Sequence, residues 1–462
     1  MQAIVDVRSW AERNFSKAEL GDRRRTQRLV NAAAKIAAHP QSAFTQIFDW
    51  NELRGFYRVC DQKQATLQAV LQPHWQQTRQ ALEQRALALI VHDTTELDFT
   101  THPHLVGAGP IGDGGGRGFL QHNSLALVPQ PREVLGLAYQ QLRTRQPRPE
   151  GDNSYRRKQR PRESDLWLHG IRGVGPAPEG CCWVDVADCA CDIYEAMQAA
   201  LALGHHFLFR ARENRVAFAD AAGEQRTHLM DHARSLASQG TDRVAIAGRG
   251  GRPSRTARVC LAGAALWVPA PHGTRARWSQ PRLRLWVIRI WEPHPPAGVE
   301  EPLEWILLCS LPTATLAELK ERRDWYCCRW MAEVYHDIEK NGCSQEARRF
   351  RTAERMETCL ALLSVVAVRV FQMRCALEAH PEAPAEQVAT HTEIEVVRRF
   401  LQDNENHFTV RRFVHGVAKL GGFLGRRGDG DPGVRALWRG YQRLQDFLLG
   451  YNLHAIETSD SP

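Results

Sequence analysis

The segment from Asp324 to Lys340, DWYCCRWMAEVYHDIEK, is the feature that most constrains how this chain folds. At about 3.6 residues per turn, a helix over this segment has one polar and one apolar face. The polar face carries Tyr326, Arg329, Glu333, Asp337 and Lys340, and the apolar face carries Cys328, Met331, Val334, Tyr335 and Ile338. The pattern predicts an amphipathic helix that covers a core. Its polar face either meets solvent or forms part of a chemical site.

Length and charge point to a class of partner. The chain has 462 residues, of which 43% are hydrophobic and 24% are charged, as is typical of a globular protein of two or three domains. Its net charge is +8, its pI is about 9.0, and arginine is more frequent than lysine. Because guanidinium groups bind phosphates through paired donors, a polyanion is the leading candidate partner.

The cysteines and the first residues indicate a compartment. The twelve cysteines have no secreted-domain spacing, and the start MQAIVDVRSW has neither a basic segment nor an apolar segment of a leader. We therefore expect a reducing cytoplasm. The apolar run Cys359 to Val368 is half of the roughly 20 residues that a membrane span needs, so it predicts a buried core helix.

The first 65 residues predict a helical region with a basic surface. Four arginines lie within about two turns in GDRRRTQRL, namely Arg23, Arg24, Arg25 and Arg28. A second cluster combines Arg54, Tyr57 and Arg58. Such clusters are either solvated or contact nucleic-acid phosphates, and both interpretations stand at this point.

A first candidate carboxylate follows a buried strand. After a helix over about 66–85, the run ALALIV is typical of a strand covered on both faces, and the sequence predicts that it stops at His92 and Asp93. Carboxylates at the carboxyl ends of central strands are common in sheet enzymes. The glycine-rich loop 107–118 lacks the spacing of a dinucleotide site. The next two apolar runs, around a Pro-containing turn, predict an antiparallel hairpin.

A second candidate carboxylate ends the run CWVDVAD, which predicts a strand over 182–188. Asp185, Asp188 and Asp192 all qualify. Asp188 is favoured because it closes the strand, whereas Asp185 lies inside it and Asp192 falls just inside the next helix, 192–203. Four nearby cysteines, Cys181, Cys182, Cys189 and Cys191, contain no CxxC pair, which favours buried packing over a zinc site.

The remaining patterns define the surroundings. A surface loop over 144–165 carries the basic run 156–160, which is either a DNA clamp or solubilising. HFLFR predicts a strand over 206–210, and four apolar runs predict an inserted β-sheet over about 215–315. The amphipathic helix begins near Thr315. Further helices are expected over 353–379 and 395–455, the last around a loop at 420–433.

The carboxylates are suited to phosphodiester chemistry. Two Mg²⁺ ions about 3.5–4 Å apart can polarise a nucleophile and stabilise a leaving oxygen, and they require oxygen ligands. Asp93, Asp188 and Glu333 would supply these ligands from two strands and one helix. Arg329, one turn before the glutamate, and Lys340, two turns after it, could then reach the flanking phosphates.

These motifs together resemble a known family. The relevant segments are WAERNFSKAELGDRRRTQRLVN, VHDTTELDF, VADCACDIYEA, LEWILLCSLP, the helix with Tyr326, Arg329 and Glu333, and LGGFLGRRGDGDPG with ALWRGYQRLQ. In their order and spacing they resemble the DDE transposases of bacterial insertion sequences. The match is to the insertion-sequence-four family, which includes the transposon five transposase, and it extends over essentially the whole chain.

The resemblance implies an α/β fold with three domains. An α-helical N-terminal domain, 1–65, would bind transposon ends, and an RNase H-like catalytic core with an inserted β-sheet would occupy 66–370. An α-helical C-terminal domain, 371–462, would form a homodimer. It further implies a cut-and-paste transposase that nicks double-stranded DNA, forms and reopens a hairpin, and joins the 3′-hydroxyl to target DNA. The cofactor would be two Mg²⁺ per site, with Mn²⁺ as a substitute.

The resemblance also assigns roles to residues. Asp93, Asp188 and Glu333 would be the catalytic metal ligands. A flipped base would stack on Trp305 with Trp330 as a second aromatic, which would offset the cost of unstacking. The matched DNA contacts are Arg25, Arg28 and Arg58 at the transposon end, Arg210 after a core strand, and Tyr326, Arg329 and Lys340 at phosphates.

Two departures from the family pattern matter. Asp337 stands where the family has a lysine, so it should weaken phosphate contact or add a metal ligand. Cys189 and Ala190 stand where an Arg-Glu pair is usual. Both departures bear on activity, and two rival hypotheses remain: a nuclease with the same core that does not transpose, and an inactive domesticated DNA-binding protein.

Overall fold

A computed structural model describes residues 6–146, 162–246, 254–271 and 280–459. The predicted basic run 156–160 lies outside the described residues. The described chain begins with α1 (Val7–Phe15), α2 (Arg23–Ala38), α3 (Phe44–Ile47), α4 (Trp50–Cys60) and α5 (Leu67–Glu83). This confirms the helical start and the helix predicted over about 66–85. Side-chain caps explain the starts of two helices: Asp22 accepts from the Arg24 backbone N–H, and Asp49 forms a capping box with Glu52.

In the middle of the chain, the described residues form a mixed sheet of twelve strands. The strands are β1 (Leu87–Asp98), β2 (Gly109–Ile111), β3 (Gly116–Pro129), β4 (Arg132–Arg143), β5 (Cys182–Ala187), β6 (His206–Arg210), β7 (Val216–Phe218), β8 (Arg226–His228), β9 (Gly240–Ile246), β10 (Arg255–Pro269), β11 (Arg282–Trp291) and β12 (Glu304–Cys309). Their order is β2-β3-β1-β5-β6-β12-β11-β10-β7-β8, with β4 on β3 and β9 on β10. The strands predicted within 215–315 are confirmed. They continue the central sheet rather than form a sheet of their own, because β12 pairs with β6.

The centre of the sheet contains the predicted buried strands. β1 is parallel to β5, and β5 is parallel to β6. β1 does not end at His92 and Asp93 as predicted, because its other edge stays paired with β3 as far as Asp98. The pairing of β1 with β5 does end close to the predicted point, at Val91 opposite Val186. The predicted hairpin is confirmed as β3 and β4.

The segment predicted as one amphipathic helix is divided. It forms α9 (Leu316–Cys327), α10 (Trp330–Asp337) and a π-helical turn (Ile338–Gly342). Three earlier helices also flank the sheet: α6 (Asp165–Val174), α7 (Tyr194–Ala202) and α8 (Leu229–Ser235). The start near Thr315 is confirmed, since its side chain caps α9 in a capping box with Glu318. The break at Cys328 and Arg329 corrects the prediction of a continuous helix. Helical periodicity cannot detect such a break, because residues on both sides keep the same apolar spacing.

A long helix, α11 (Ala353–Ala379), crosses the core with the predicted bounds. Among the described residues, α11 is the one helix that is long and apolar enough to span a membrane. However, 89% of its most apolar 18-residue stretch is buried inside the protein. The prediction of a buried core helix is therefore confirmed. Even Arg369 is buried, where its guanidinium donates to the Tyr441 hydroxyl at 2.7 Å.

The described chain ends in a helical region. It contains α12 (His391–Leu401), α13 (Val410–Leu420) and α14 (Val434–Ser459), with the predicted loop between α13 and α14. These helices share an apolar cluster that includes Val397, Phe413 and Leu444. A separate, larger cluster joins the N-terminal helices, one face of the central strands and α9 to α11.

Candidate active site

Asp93 and Asp188 lie on the same face of the sheet. Val91 and Val186 are the last paired residues of β1 and β5, and both belong to the cluster beneath α9 to α11. Because side chains alternate along a strand, positions two residues further on point to that same face. Asp93 is inside β1, while Asp188 follows β5 and accepts from the Ala190 backbone N–H at 2.8 Å. The prediction that Asp188 closes its strand is confirmed.

Glu333 reaches the same place from the helical side. It lies in the first turn of α10, which begins where the amphipathic segment breaks. Arg329 precedes α10 and its guanidinium spans two of the carboxylates: Nη1 is 3.4 Å from Asp93 Oδ2, and Nη2 is 2.5 Å from Glu333 Oε1. Residues from β1 and α10, about 240 positions apart in sequence, are thereby joined by one side chain.

The electrostatics of Asp93 link all three carboxylates. Burial raises the pKa of Asp93 to about 6, and the negative charges of Asp188 and Glu333 add to that rise. The positive charge of Arg329 and a hydrogen bond from the Thr94 backbone N–H oppose it. A site that concentrates negative charge in this way is suited to a cation.

The donor set fits a divalent cation of the Mg²⁺ type, since carboxylate oxygens are the ligands that such hard cations prefer. In the present arrangement, Arg329 lies between Asp93 and Glu333. Across the described ranges, no group of three or more His, Cys, Asp or Glu side chains is arranged to hold a metal ion.

Aromatic and basic side chains flank the carboxylates. Trp305, in β12, packs edge-to-face on Tyr326 with ring centroids 5.1 Å apart. Tyr326 is buried, which raises the pKa of its hydroxyl to about 12, and its electrostatic neighbours include Arg329, Arg210 and Asp188. Arg210 ends β6 and donates to the Glu304 carbonyl oxygen at 3.4 Å. The fold thus brings these four predicted residues to the carboxylates.

Two other predicted residues lie at the edge of this site. Trp330 begins α10 and is 50% exposed. Lys340, in the π-helical turn, donates to the Glu96 carbonyl oxygen at 2.5 Å and lies 3.7 Å from Glu346. Lys340 is therefore anchored to β1 three residues beyond Asp93.

The predicted end-binding arginines lie on the N-terminal helices. Arg28 on α2 and Arg58 on α4 are exposed. Arg25 on α2 is partly buried and donates to the Leu20 carbonyl oxygen at 3.1 Å. The aliphatic part of Arg28 lies over Gly55, so α2 and α4 present their basic side chains from adjoining surfaces.

Two acidic residues behave differently from expectation. Asp337 forms a forked ion pair with Arg435 of α14, with a closest separation of 3.0 Å, so it contacts the C-terminal helices. Asp192 lies before α7 rather than inside it. Its carboxylate accepts from the backbone N–H groups of Arg212 and Glu213 and pairs with Arg215, which fixes the loop after β6.

Sequence reasoning missed a second polar cluster on the opposite face of the strands. Asp185 is fully buried, with Oδ1 3.0 Å from His92 Nε2 and Oδ2 3.0 Å from His205 Nδ1. Asp185 was one of three candidates for the second carboxylate and was set aside because it lies inside its strand. The available signal was an aspartate in an otherwise apolar strand, which demands a buried partner.

The described chain thus has basic helices in its first part, a carboxylate site in the sheet and a helical region in its last part. Comparison with known families makes the class specific. Residues 7–65 match the family model described as "Transposase DNA-binding", and residues 366–459 match "Transposase Tn5 dimerisation domain". Both matches support a Tn5-like transposase, and the insertion-sequence-four assignment is consistent with them. It binds DNA and forms a homodimer.

Proposed function

We propose that this transposase is a metal-dependent cut-and-paste enzyme whose catalytic residues are Asp93, Asp188 and Glu333. The core from 66 to 370 is RNase H-like, between a DNA-end-binding domain at 1–65 and a dimerisation domain at 371–462. The enzyme cleaves at the transposon end, passes through a hairpin and transfers the 3′-hydroxyl strand to target DNA. It acts in the cytoplasm, where the nucleoid is accessible.

The observation that carries the proposal is the convergence of three carboxylates from distant segments. Burial and the charges of Asp188 and Glu333 raise the pKa of Asp93, so the three groups influence one another. Such convergence is costly unless it serves a cation, because like charges oppose each other's ionisation. Arg329 supplies positive charge at this place in the present arrangement.

The three carboxylates would hold two Mg²⁺ ions, or Mn²⁺ in their place. When bound, the ions supply charge stabilisation for the attacking and leaving oxygens of a phosphodiester. The chain's own residues orient the DNA. Once Arg329 releases Glu333, its guanidinium is free to bind a phosphate beside the scissile bond, as Arg binds phosphates generally. Lys340 neutralises a second phosphate from the edge of the site.

The aromatic residues provide a place for an extruded base. Trp305 is partly exposed and its ring edge is supported by buried Tyr326. Trp330 presents a half-exposed ring beside Glu333. A base taken out of the duplex loses stacking energy, and these rings can restore it.

The direct test is nicking of a supercoiled plasmid that carries the element's ends, with Mg²⁺ present. Asp188→Ala should abolish nicking while DNA binding persists, because the substitution removes one carboxylate and leaves the N-terminal helices intact. Asp113→Ala, an exposed aspartate in the loop before β3, is the matched control and should nick like the wild type.

The outcomes separate the rival hypotheses. Equal nicking by the wild type and by Asp188→Ala contradicts the carboxylate assignment. DNA binding without nicking by the wild type favours the inactive domesticated protein. Nicking without strand transfer or hairpin products favours a nuclease with the same core.

A further inference from the structure

Behind the carboxylate site, Asp185 joins three strands. It lies in the middle of β5, and its two oxygens contact His92 of β1 and His205, which immediately precedes β6, at 3.0 Å each. All three side chains are fully buried. His92 is adjacent in sequence to Asp93, and Asp185 is three residues before Asp188. The cluster therefore holds the strand segments that carry two of the proposed catalytic residues.

The hydrogen bonds define the charges in this cluster. His205 Nε2 is 2.9 Å from the Gly175 carbonyl oxygen, which can only accept, and Nδ1 faces the Asp185 carboxylate. Both ring nitrogens of His205 must therefore carry protons, so His205 is a cation. Burial alone would lower the pKa of His205, but the Asp185 charge outweighs it and raises the pKa. Asp185 and His205 thus form a buried ion pair.

His92 completes the cluster. Its Nε2 donates to Asp185 Oδ1 at 3.0 Å, and its Nδ1 lies 2.9 Å from the Ser124 hydroxyl, which can donate or accept. Both carboxylate oxygens of Asp185 are therefore bonded. Such an arrangement resists rearrangement, because removing one member leaves a buried charge without a partner.

The position of the cluster matters because backbone pairing is missing nearby. The hydrogen-bonded ladder between β1 and β5 ends at Val91 opposite Val186, before either proposed catalytic aspartate. His92 is the first β1 residue beyond this ladder, and its ring reaches back to Asp185, which lies opposite Ile90 inside it. This contact is a side-chain link between the two strands at the point where their pairing ends. On its other edge, β1 is held by β3, with Asp93 opposite Asn123.

We propose that Asp185, held between His92 and His205, is a positioning residue that maintains the relative placement of Asp93 and Asp188 from the opposite face of the sheet. This inference rests on the proposed function of those two aspartates. Residues that orient metal ligands without touching the metal typically change affinity by about 10–100-fold when they are replaced.

The test measures binding of Mn²⁺ to the full-length protein by electron paramagnetic resonance of the free ion at one fixed pH. The difference between the wild type and Asp188→Ala defines binding at the carboxylate site. Asp185→Asn should weaken that binding about tenfold. Its circular dichroism spectrum and its DNA affinity without divalent cation should match those of the wild type.

Asp192→Asn is the matched control. Like Asp185, Asp192 is a buried aspartate, but it lies after β5 and pairs with Arg215 in the loop after β6. It should leave Mn²⁺ affinity unchanged. Unchanged Mn²⁺ affinity in folded Asp185→Asn overturns the positioning role. If the wild type itself shows no binding that depends on Asp188, the proposed metal function fails instead, so the two failures are distinguishable.

A second pair of variants keeps the test decisive if Asp185→Asn does not fold. His92→Gln keeps a side-chain N–H group that can donate to Asp185 as His92 Nε2 does. His92→Leu fills similar space without a hydrogen-bond donor. We expect near-normal Mn²⁺ affinity for His92→Gln and about tenfold weaker binding for His92→Leu. Equal affinities for these two variants overturn the proposal.

Discussion

Two glutamates close together in sequence, Glu333 and Glu339, illustrate two different uses of an acid. Glu339 is completely buried and accepts hydrogen bonds from neutral groups: the amides of Gln121, Asn123 and Gln345 and the hydroxyl of Ser364. Burial raises the pKa of Glu339 to about 7. Glu333 instead faces a cation and other carboxylates at a partly exposed position.

The difference teaches how to separate a structural acid from a chemical one. Asp93 and Glu339 both have a pKa raised by burial. The pKa of Asp93 is further changed by the charges of Arg329, Asp188 and Glu333. The pKa of Glu339 is further changed by hydrogen bonds from neutral groups, including the Tyr335 hydroxyl. A raised pKa alone therefore does not identify a functional site. The kind of neighbour does.

The largest expected effect contrasts the two glutamates directly. Glu333→Gln should reduce plasmid nicking by about a thousandfold or more, the scale associated with losing one essential electrostatic group. Glu339→Gln should nick at close to the wild-type rate, because the Gln121 and Gln345 amides, whose buried oxygens lack a hydrogen-bond partner, can turn to accept from the new NH2 group. Nicking assays with equal amounts of folded protein measure both. Comparable losses in the two variants would remove the distinction.

The next effect concerns stability and pH. Because Glu339 has a folded pKa of about 7 against an ordinary value of 4.5, the folded state holds its proton more tightly than the unfolded state does. Wild-type stability should therefore fall relative to Glu339→Gln as the pH rises from about 4.5 to about 7, by about 3 kcal/mol in all. Denaturant unfolding of both proteins at pH 4.5 and pH 8 measures this difference. A gap that does not change with pH would contradict the assignment.

A smaller effect probes the open side of the carboxylate site. Trp305→Ala should lower hairpin yield roughly 5- to 100-fold, since stacking of one base on an aromatic ring is worth about 1–3 kcal/mol. First-strand nicking should change much less. Trp305→Phe is the control, as it keeps an aromatic ring at this position and should retain most of the hairpin yield. Gel analysis of hairpin and nicked products decides, and an unchanged hairpin yield would count against base stacking at Trp305.

The smallest effect concerns the contact between α10 and the C-terminal helices. The Asp337 and Arg435 side chains are 28% and 66% exposed, so their ion pair should contribute less than about 1 kcal/mol to stability. A double-mutant cycle with Asp337→Ala and Arg435→Ala, measured by unfolding, gives this coupling. A coupling of several kcal/mol would show that the pair is a principal link between the two regions.

Several local elements followed from the sequence alone. The apolar run Cys359–Val368 predicted a buried helix, the amphipathic segment was expected to begin near Thr315, and two apolar runs around a Pro-containing turn predicted a hairpin. Asp188 was recognised as the residue that closes β5. These features depend on side-chain periodicity, caps and turns within a few residues, which the order of residues directly encodes.

Only the tertiary structure decided how those elements meet. It extended β1 to Asp98 through pairing with β3, joined β12 to β6 in one sheet, and broke the amphipathic segment before Glu333. It also placed Asp185 between two histidines and Asp337 against Arg435. Strand partners and ion pairs bring together residues separated by long stretches of chain, and their energies depend on burial and register that no local pattern specifies.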